Sequence, residues 1–228
     1  MRIDVLTIFP ELFDPFLACG MVERARAAGA LEVHVTDVRA FTSDRHHSVD
    51  DRPYGGGPGM VFKPEPVFRA LEILLGPELK AIERQESKTR LLVMCPQGER
   101  LEQGQLDRWS GAERLVVLCG RYEGFDERIL EAFPWCRVSI GDYVLSGGEI
   151  PAMAVIEGVS RLLPGVLGDP RSAERDSFAS EWGESQYDHP HFTRPPTYRG
   201  REIPEVLRSG DHEKIEAWRQ SKRAERAT

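Results

Sequence analysis

The regular alternation of apolar runs, glycine-bearing loops and helical patterns between Arg90 and Leu163 constrains the fold most. Three strands are predicted there, Arg90–Met94, Arg114–Leu118 and Trp135–Ile140, and each leads through a loop with glycine into a helical pattern. Strands that alternate with helices form a parallel sheet with helices on its faces. Because the carboxyl ends of such strands share one edge of the sheet, the three loops are expected to lie together.

The loop after the third strand, Ile140–Glu149, has glycine at three of its ten positions and leads into a helical pattern over Ile150–Leu163. Taken alone, it fits a ligand-holding loop or a plain strand-to-helix connection equally well. The occurrence of three such loops at one sheet edge favours the ligand-holding function.

The beginning of the helix after this loop has conflicting signals. Ser146 and Glu149 fit a capping box, but that start would place Pro151 at the fifth helical position, where it destabilises a helix. We therefore predict a start at Gly147 or Gly148, which keeps the proline in the first turn and leaves the serine in the loop.

Two more strands are predicted nearer the N-terminus, Arg2–Ile8 and Leu31–Asp37, the second from its alternation of apolar and polar residues. The charged segment Glu78–Lys88 is predicted to be a loose connector. Helical spacing predicts helices over Glu11–Ala18, Met21–Ala28, Pro66–Leu75, Gln103–Trp109 and Asp126–Ala132, the last with Asp126 as N-cap.

A long segment without periodicity, Arg39–Pro66, contains the glycine-rich run Gly55–Gly59. A loop of this length in a compact domain is usually functional or disordered. The run lacks the Gly-Lys-Ser/Thr of a Walker loop, which argues against an NTPase. Its basic and aromatic side chains suit phosphates and bases, with a flexible surface loop as the alternative. These side chains are Arg45, His46, His47, Arg52 and Tyr54.

The chain after Leu163 has a different composition. Pro164–Pro196 is rich in Pro, Gly, Asp, Ser and His and is predicted to be a linker that orders with substrate. Two short helices are predicted after it, Pro204–Ser209 and Asp211–Ala224, with Asp211 as an N-cap. Basic residues near the end suit a phosphate partner, although a solvated helix face explains each one singly. They are Arg219, Lys222, Arg223 and Arg226.

The net charge of −7 argues against non-specific nucleic-acid binding by the whole surface. Residues 161–228 hold 12 basic and 12 acidic side chains, so residues 1–160 carry 18 against 25. A local basic surface for RNA is therefore expected in the C-terminal third.

No apolar run is long enough to span a membrane, and the N-terminus lacks the apolar core of a signal peptide. The cysteines are predicted to be reduced and buried in a cytosolic protein. They are Cys19, Cys95, Cys119 and Cys136.

The sequences of the three loops are distinctive: Pro96–Gly98, Gly120–Gly124 and Ile140–Glu149. Together they resemble the loops of the bacterial tRNA (guanine-N1)-methyltransferases, the TrmD family, and the resemblance covers nearly the whole chain. Further segments match the family in the same order. They are Ile8–Pro10, Asp50–Met60, Pro164–Gly168, Asp176–Phe178 and Thr193–Pro195.

The resemblance implies a SPOUT-type α/β fold with a deep trefoil knot, a small all-α C-terminal domain, and a homodimer whose active sites are shared between subunits. It implies a methyltransferase domain at 1–163 with the cofactor site at about 90–150, a linker at 164–196, and a C-terminal domain at 197–228. The C-terminal domain looks shorter than in many members.

The resemblance also implies an activity. Members transfer a methyl group from S-adenosylmethionine to N1 of guanosine 37 of tRNA, just 3′ of the anticodon, when guanosine also occupies position 36. This modification helps to maintain the reading frame. A cytoplasmic enzyme without a membrane partner is therefore expected.

By position, the resemblance places the methyl donor among the three loops, where backbone groups can hydrogen-bond adenine and several side chains can form apolar walls. Cys95 stands where the family usually has Ser, so a hydroxyl contact there would be lost. The expected cofactor contacts are Met94, Cys95, Pro96, Gly120, Tyr122, Gly124, Ile140, Gly141, Asp142, Tyr143, Val144, Leu145, Gly147 and Gly148.

Guanine N1 carries a proton, so its methylation benefits from a general base. The resemblance assigns this role to Asp176, whereas the residues alone favour a turn-forming or capping aspartate. It assigns Arg161 to stabilise negative charge on guanine O6, the alternative being an i,i+4 pair with Glu157. Glu123 is expected to contact guanine or a magnesium ion, with an ordinary surface carboxylate as the alternative. The expected substrate contacts are Tyr54, Glu123, Arg161, Asp176 and Ser177.

His189 and His191 flank Pro190, but the pair is expected to lack a Cys or carboxylate that would complete a metal site. RNA contact or simple exposure is preferred, and no metal ligand is predicted.

Two rival functions remain: a methyltransferase for another RNA, such as ribosomal RNA, and an RNA-binding module without catalysis. Binding an anionic partner does not need an aspartate, so the joint presence of Arg161 and Asp176 argues against the second.

Overall fold

Two compact units make up the chain, Met1–Gly168 and Asp169–Thr228. The structure, a computed structural model, describes residues 1–169, 171–179 and 186–225. Part of the predicted linker, at residues 170 and 180–185, lies outside the described residues. So do residues 226–228, with the predicted basic contact Arg226.

The first unit is built on a five-stranded sheet with the order β2-β1-β6-β5-β7, in which every neighbouring pair is parallel. The strands of this unit are β1 (Arg2–Thr7), β2 (Glu32–Asp37), β3 (Asp50–Asp51), β4 (Val61–Phe62), β5 (Thr89–Arg100), β6 (Arg114–Cys119) and β7 (Trp135–Ser139). Its helices are α1 (Asp14–Leu17), α2 (Gly20–Ala27), α3 (Pro64–Leu75), α4 (Glu78–Glu83), α5 (Gln103–Ser110), α6 (Glu127–Ala132) and α7 (Glu149–Ser160), with 3-10 helices at Pro10–Leu12 and Val38–Phe41.

Side chains on the strands alternate between the two faces of the sheet, so each strand contributes to two apolar cores. On β5, Leu92 and Met94 join one core, and Leu91 and Val93 join the other. Helices α2, α5 and α7 pack on the first core, and α3, α4 and α6 pack on the second. The three-layer α/β arrangement predicted from the strand and helix alternation is confirmed.

β5 is longer than predicted. Its pairing with β7 breaks after Met94 and resumes at Glu99, and both of these residues lie opposite Val138. The segment Cys95–Gly98 is therefore a bulge within the strand rather than a loop that ends it. The bulge still lies at the carboxyl ends of its neighbours, where the loop was expected.

Two other local predictions are wrong. Glu78–Glu83 is a helix and not a connector, because Ile82 is buried in the second core and Leu79 packs against that core. The segment Arg39–Pro66 is not wholly irregular, since β3 and β4 pair antiparallel within it.

The prediction that the cysteines are buried is confirmed for Cys119 and wrong for Cys19 and Cys136. Cys19 and Cys136 are exposed, Cys95 is partly buried, and Cys119 is buried on β6. Cys136 lies near the start of β7, which is at the edge of the sheet, and the first three residues of this strand are not buried. An apolar run in the sequence does not distinguish an edge strand from a central one.

The second unit combines short helices with short strands. Its elements are α8 (Arg171–Glu174), β8 (Gln186–Tyr187), β9 (Thr197–Tyr198), β10 (Arg201–Glu202), a 3-10 helix at Glu205–Arg208, α9 (His212–Lys222) and β11 (Ala224–Glu225). β9 pairs with β10 and β8 pairs with β11, so the described part of 197–228 is not all-α as expected. Asp211 is confirmed as the N-cap of α9, because its carboxylate accepts the Lys214 N–H at 3.2 Å. Within the described ranges, no helix combines the length and apolar character needed to cross a bilayer.

Candidate active site

A cavity of about 430 Å³ opens at the carboxyl ends of β5, β6 and β7, which are neighbours in the sheet. Pockets that hold small ligands measure about 300–1,000 Å³. The bulge of β5, the loop after β6 and the loop after β7 all contribute to its wall. The prediction that the three loops share one edge of the sheet is confirmed.

Most of the predicted donor contacts line this cavity, and so does Glu123, a predicted substrate contact. Among the described residues, Asp142 is the predicted donor contact that does not line it. Tyr54 is fully exposed in the segment between β3 and β4. Arg161 is the C-cap of α7, and its backbone N–H donates to the Glu157 carbonyl at 3.3 Å.

The loops after β6 and β7 pack closely enough to exclude a side chain. The Gly148 N–H donates to the Gly120 carbonyl at 2.8 Å. A Cβ on Gly148 would lie 2.9 Å from both Cys119 Cα and Met94 Cβ, a distance that packed carbon atoms avoid. Gly148 is the N-cap of α7, as the proline position predicted. Close packing of the start of α7 against β5 and β6 therefore explains this glycine without a phosphate ligand.

A buried ion pair joins the same two loops. The Glu149 carboxylate is only 1% exposed; its Oε2 accepts from Arg121 Nε at 2.9 Å and its Oε1 accepts from Thr7 Oγ1 at 2.8 Å. The Arg121 guanidinium also lies 4.5 Å from the centre of the Phe9 ring, a cation–π contact. A Cβ on Gly147 would overlap the atoms of this ion pair. The pair thus ties β1, the loop after β6 and the start of α7 together.

The rest of the wall is mainly backbone and apolar side chain, with two acidic groups, Glu123 and Glu127. Tyr122 lines the cavity too and is about half exposed. Burial, and then the charge of nearby Asp50, raise the pKa of the Tyr122 phenol above its ordinary value. The phenol is therefore neutral at physiological pH and can donate a hydrogen bond.

The glycine-rich segment before β4 ends against the loop after β6. The Glu123 N–H donates to the Met60 carbonyl at 2.9 Å, and the Phe62 N–H donates to the Gly124 carbonyl at 2.9 Å. A Cβ on Gly59 would overlap the Glu123 side chain. The end of this segment is therefore part of the cavity rim, whereas its aromatic Tyr54 points into solvent.

Sequence reasoning missed several residues of the cavity wall. Most lie on strand ends or on α6 and α7, where the exposed face depends on packing that the sequence does not reveal. The sequence does give a reason to expect Arg121 at the cavity, because this charged residue directly follows Gly120 in a short loop between a strand and a helix. The residues outside the predicted donor-binding ranges are Gln97, Phe125, Glu127, Leu130, Val138, Ser139 and Pro151. Arg121 and Ser146 lie within those ranges but were not singled out as contacts.

In the second unit, Asp176 forms a turn. Its Oδ1 accepts the Ser177 N–H at 3.0 Å, and its carbonyl accepts the Ala179 N–H at 3.1 Å. This is the turn-forming role that the residues alone favoured. A carboxylate has further lone pairs, so the turn does not use up its capacity to accept a proton or a hydrogen bond.

A second cavity, of about 630 Å³, lies within the second unit and is lined mainly by charged and polar side chains. Asp188 lies beside both His189 and His191, and one ligand atom from each residue falls within 4.8 Å of the others. The expectation that no carboxylate completes the histidine pair is therefore wrong. The lining residues are Asp169, Ser172, Arg175, Asp176, Asp188, His189, His191, Glu216, Arg219, Gln220 and Arg223.

The first unit has the architecture of the open parallel α/β sheets, which bind ligands outside the carboxyl ends of their strands. Within this class, the family described as tRNA (Guanine-1)-methyltransferase TrmD matches residues 1–228. The chain belongs to the TrmD family.

Curated relatives named tRNA (guanine-N(1)-)-methyltransferase are similar along nearly the whole chain. The Moorella thermoacetica protein is 49% identical over 226 residues, which cover 99% of this chain and 86% of the relative. The Halorhodospira halophila protein is 48% identical over 218 residues, covering 96% of this chain and 78% of the relative. The Bacillus subtilis protein is 45% identical over 219 residues, covering 96% and 86%.

Proposed function

We propose that this protein transfers a methyl group from S-adenosylmethionine to N1 of guanosine 37 in tRNA, next to a guanosine at position 36, and so helps to maintain the reading frame. One observation carries the proposal. In a chain of the TrmD family, the cavity at the sheet edge is built from the three loops that resemble those of the family.

The wall of the cavity suits an adenosine derivative. Leu130, Ile140 and Pro151 supply apolar surface for a flat base, and the glycines leave backbone groups accessible to its edge. The carboxylates of Glu123 and Glu127 suit hydroxyl groups and positive charge. When bound, S-adenosylmethionine supplies a methyl group on a positively charged sulfur. Charge attraction from this wall favours such a ligand over a nucleotide phosphate.

Two residues of this chain would act on the guanine. As the bond from N1 to the methyl carbon forms and the bond from sulfur to that carbon breaks, the N1 proton would pass to the carboxylate of Asp176. Arg161 would donate hydrogen bonds to O6, where negative charge develops as the proton leaves. Ser177 and Tyr54 would contact the substrate, and Glu123 would contact guanine or a magnesium ion.

We also propose a homodimer with shared active sites. Exposed apolar side chains at or beside the cavity support it, since Tyr143 is 55% exposed, Val144 84% and Ile150 62%. The proposal includes the family's trefoil knot around the cofactor site, methyl transfer by the domain at 1–163, a linker at 164–196, and tRNA contact by 197–228. Because the substrate is tRNA, we place the enzyme in the cytoplasm.

The test is methyl transfer by the full chain from isotopically labelled S-adenosylmethionine to tRNA transcripts. Transcripts with guanosine or adenosine at position 37 would be compared, each with guanosine at 36, beside a ribosomal RNA fragment. We expect label in the guanosine transcript alone, at N1. Donor binding without transfer to that transcript would contradict the proposal. Transfer to the ribosomal fragment instead would favour the rival RNA methyltransferase.

A further inference from the structure

Three side chains in the cavity of the second unit have the composition of a transition-metal site. The Asp188 carboxylate lies beside two imidazoles whose ring centres are 4.5 Å apart: His191 Nε2 is 2.9 Å from Oδ2, and His189 Nε2 is 3.7 Å from Oδ1. Ligand atoms of a tetrahedral zinc ion with bonds of 2.0–2.1 Å lie roughly 3.3 Å apart. One ligand atom from each of the three residues lies within 4.8 Å of the others, so side-chain rotations of roughly an ångström or more would bring all three atoms to one ion.

The surroundings of His189 give the imidazole the required tautomer. Its Nδ1 lies 3.2 Å from the Pro190 carbonyl, which can only accept a hydrogen bond, so Nδ1 carries the proton in that contact. In the neutral ring, Nε2 then carries the lone pair that can bind a metal, and it lies 3.7 Å from Asp188 Oδ1. Metal-binding histidines commonly donate their other N–H to a backbone carbonyl, which fixes both the ring and the tautomer.

The side chains of Asp188 and His189 are mostly buried and therefore restricted, whereas the third proposed ligand, His191, is exposed and can change its orientation. Asp188 and His189 are 17% and 13% exposed, and the Asp188 N–H donates to Ser177 Oγ at 3.1 Å. The His189 ring centre lies 6.2 Å from that of Trp218 on α9. His191 is 72% exposed, so its ring can turn without disturbing a packed core and an ion can enter from solvent.

Charges around the cavity are mixed. Three guanidinium groups on the wall, of Arg175, Arg219 and Arg223, oppose a cation. Glu216 lies 3.6 Å from Arg219 and 3.9 Å from Arg223. Asp169 and Asp176 add negative charge to the same wall. The local field therefore does not exclude a divalent ion that is held by direct bonds.

We propose that Asp188, His189 and His191 bind a divalent transition-metal ion of the zinc class. Three protein ligands leave one coordination position, which water or an anionic oxygen of the substrate would fill. Imidazole ligands select such ions over magnesium, which prefers oxygen. The site is therefore separate from any magnesium ion that Glu123 contacts.

The test uses the full chain without an affinity tag, freed of metal by a chelator that is then removed. Zn²⁺ would be titrated by calorimetry, and Co²⁺ by its visible absorption, which reports nitrogen and oxygen ligands directly. We expect one ion per chain, unaffected by an excess of Mg²⁺. His191→Gln and Asp188→Asn are each expected to weaken binding at least about tenfold, since even indirect metal contacts contribute that much.

His34→Gln is the matched control. His34 is also exposed, and its Nε2 lies 2.7 Å from the Glu32 carboxylate, but it is outside the three-residue cluster. This variant should bind Zn²⁺ as the unmodified chain does. Equal weakening in His34→Gln and His191→Gln, or no saturable binding by the unmodified chain, would overturn the proposal. Because His191 is exposed, unchanged thermal unfolding of its metal-free variant should show that the fold is kept.

Discussion

The two cavities described above, one in each unit, differ in what lines them. The cavity of the first unit is lined largely by backbone, glycine and apolar side chains, and its partly buried Arg121 is paired with Glu149. The cavity of the second unit is lined almost wholly by side chains that carry charge or can titrate. The first can select a ligand by shape and by hydrogen bonds to its backbone. The second can hold protons, ions and phosphates, which is what a reaction on an anionic substrate requires.

Replacement of Asp176 should have the largest effect on the proposed reaction. Asp176→Ala should keep donor binding to the first cavity, while the single-turnover methylation rate falls about 10²- to 10⁴-fold, the usual contribution of a general base. Asp176→Asn is the informative partner, because its amide oxygen can still accept the Ser177 N–H and keep the turn. If Asn restored the rate, the aspartate would be a turn former and not a base.

The next prediction concerns the ion pair beside the first cavity. Glu149→Gln leaves the Arg121 guanidinium, which is 20% exposed, without its anionic partner. The free energy of unfolding should fall by about 3 kcal/mol, the lower end of the cost of breaking a fully buried pair. Donor affinity should fall as well, because the loops after β6 and β7 lose their connection. Denaturant unfolding and calorimetric titration measure the two effects.

Glu65→Gln is the control for that prediction. Glu65 and Arg69 form a pair at 3.0 Å on α3, with both side chains nearly half exposed. Its loss should change the free energy of unfolding by less than about 1 kcal/mol and leave donor affinity unchanged. Similar losses in both variants would mean that the burial of Glu149 has no special effect.

A smaller effect is expected from Gly147→Ala, which adds one methyl group where the ion pair lies. Overpacking of this kind should lower the free energy of unfolding by about 1–3 kcal/mol and weaken donor binding. Gly111→Ala is the matched change, since its Cβ would lie 3.6 Å from the Arg108 carbonyl, an ordinary contact. Equal donor affinity in the two variants would show that the first cavity tolerates added volume.

The smallest expected effect is the loss of stability of the first unit at low pH, to which the buried Asp4 contributes. Burial by itself would raise the pKa of Asp4, but hydrogen bonds from Arg2 and Arg114 outweigh it and lower the pKa. The unfolded chain therefore binds this proton more readily, so the contribution of Asp4 is complete above about pH 4 and is lost as pH falls through its lowered pKa. Denaturant unfolding at a series of pH values should show a shallower acid loss for Asp4→Asn. An unchanged slope would contradict this origin.

Patterns with a short repeat allowed much of the first unit to be predicted. The apolar runs of β1, β5 and β6 identify buried parallel strands, and the helix start after Gly148 follows from the position of Pro151. The helix Glu78–Glu83 was not predicted because most of the segment is charged, and only two apolar residues, Leu79 and Ile82, pack on the second core. The bulge in β5 depends on pairing with β7, a strand that begins 46 residues after Thr89. Such pairing leaves no local signal.

The candidate site, like the fold, could be predicted only where the sequence carries a local pattern. The glycine-bearing loops and the family resemblance identified most residues of the first cavity. The ion pair between Arg121 and Glu149 could not be predicted, because it joins residues 28 positions apart that only the sheet brings together. The group around His189 was missed for a different reason. Asp188 is adjacent in sequence, but the turn that directs all three side chains to one point is a property of the folded chain.

The ion pair and the glycine beside it also limit how this protein can evolve. Arg121 and Glu149 each make the loss of the other costly, and while both remain, Gly147 cannot acquire a side chain without disturbing them. Stepwise drift at any one of the three positions is therefore opposed by the other two. A lineage could leave this arrangement by exchanging both charges together for well-packed apolar residues, a change that proteins can accept without loss of stability. Residues 121, 147 and 149 should therefore change together or not at all.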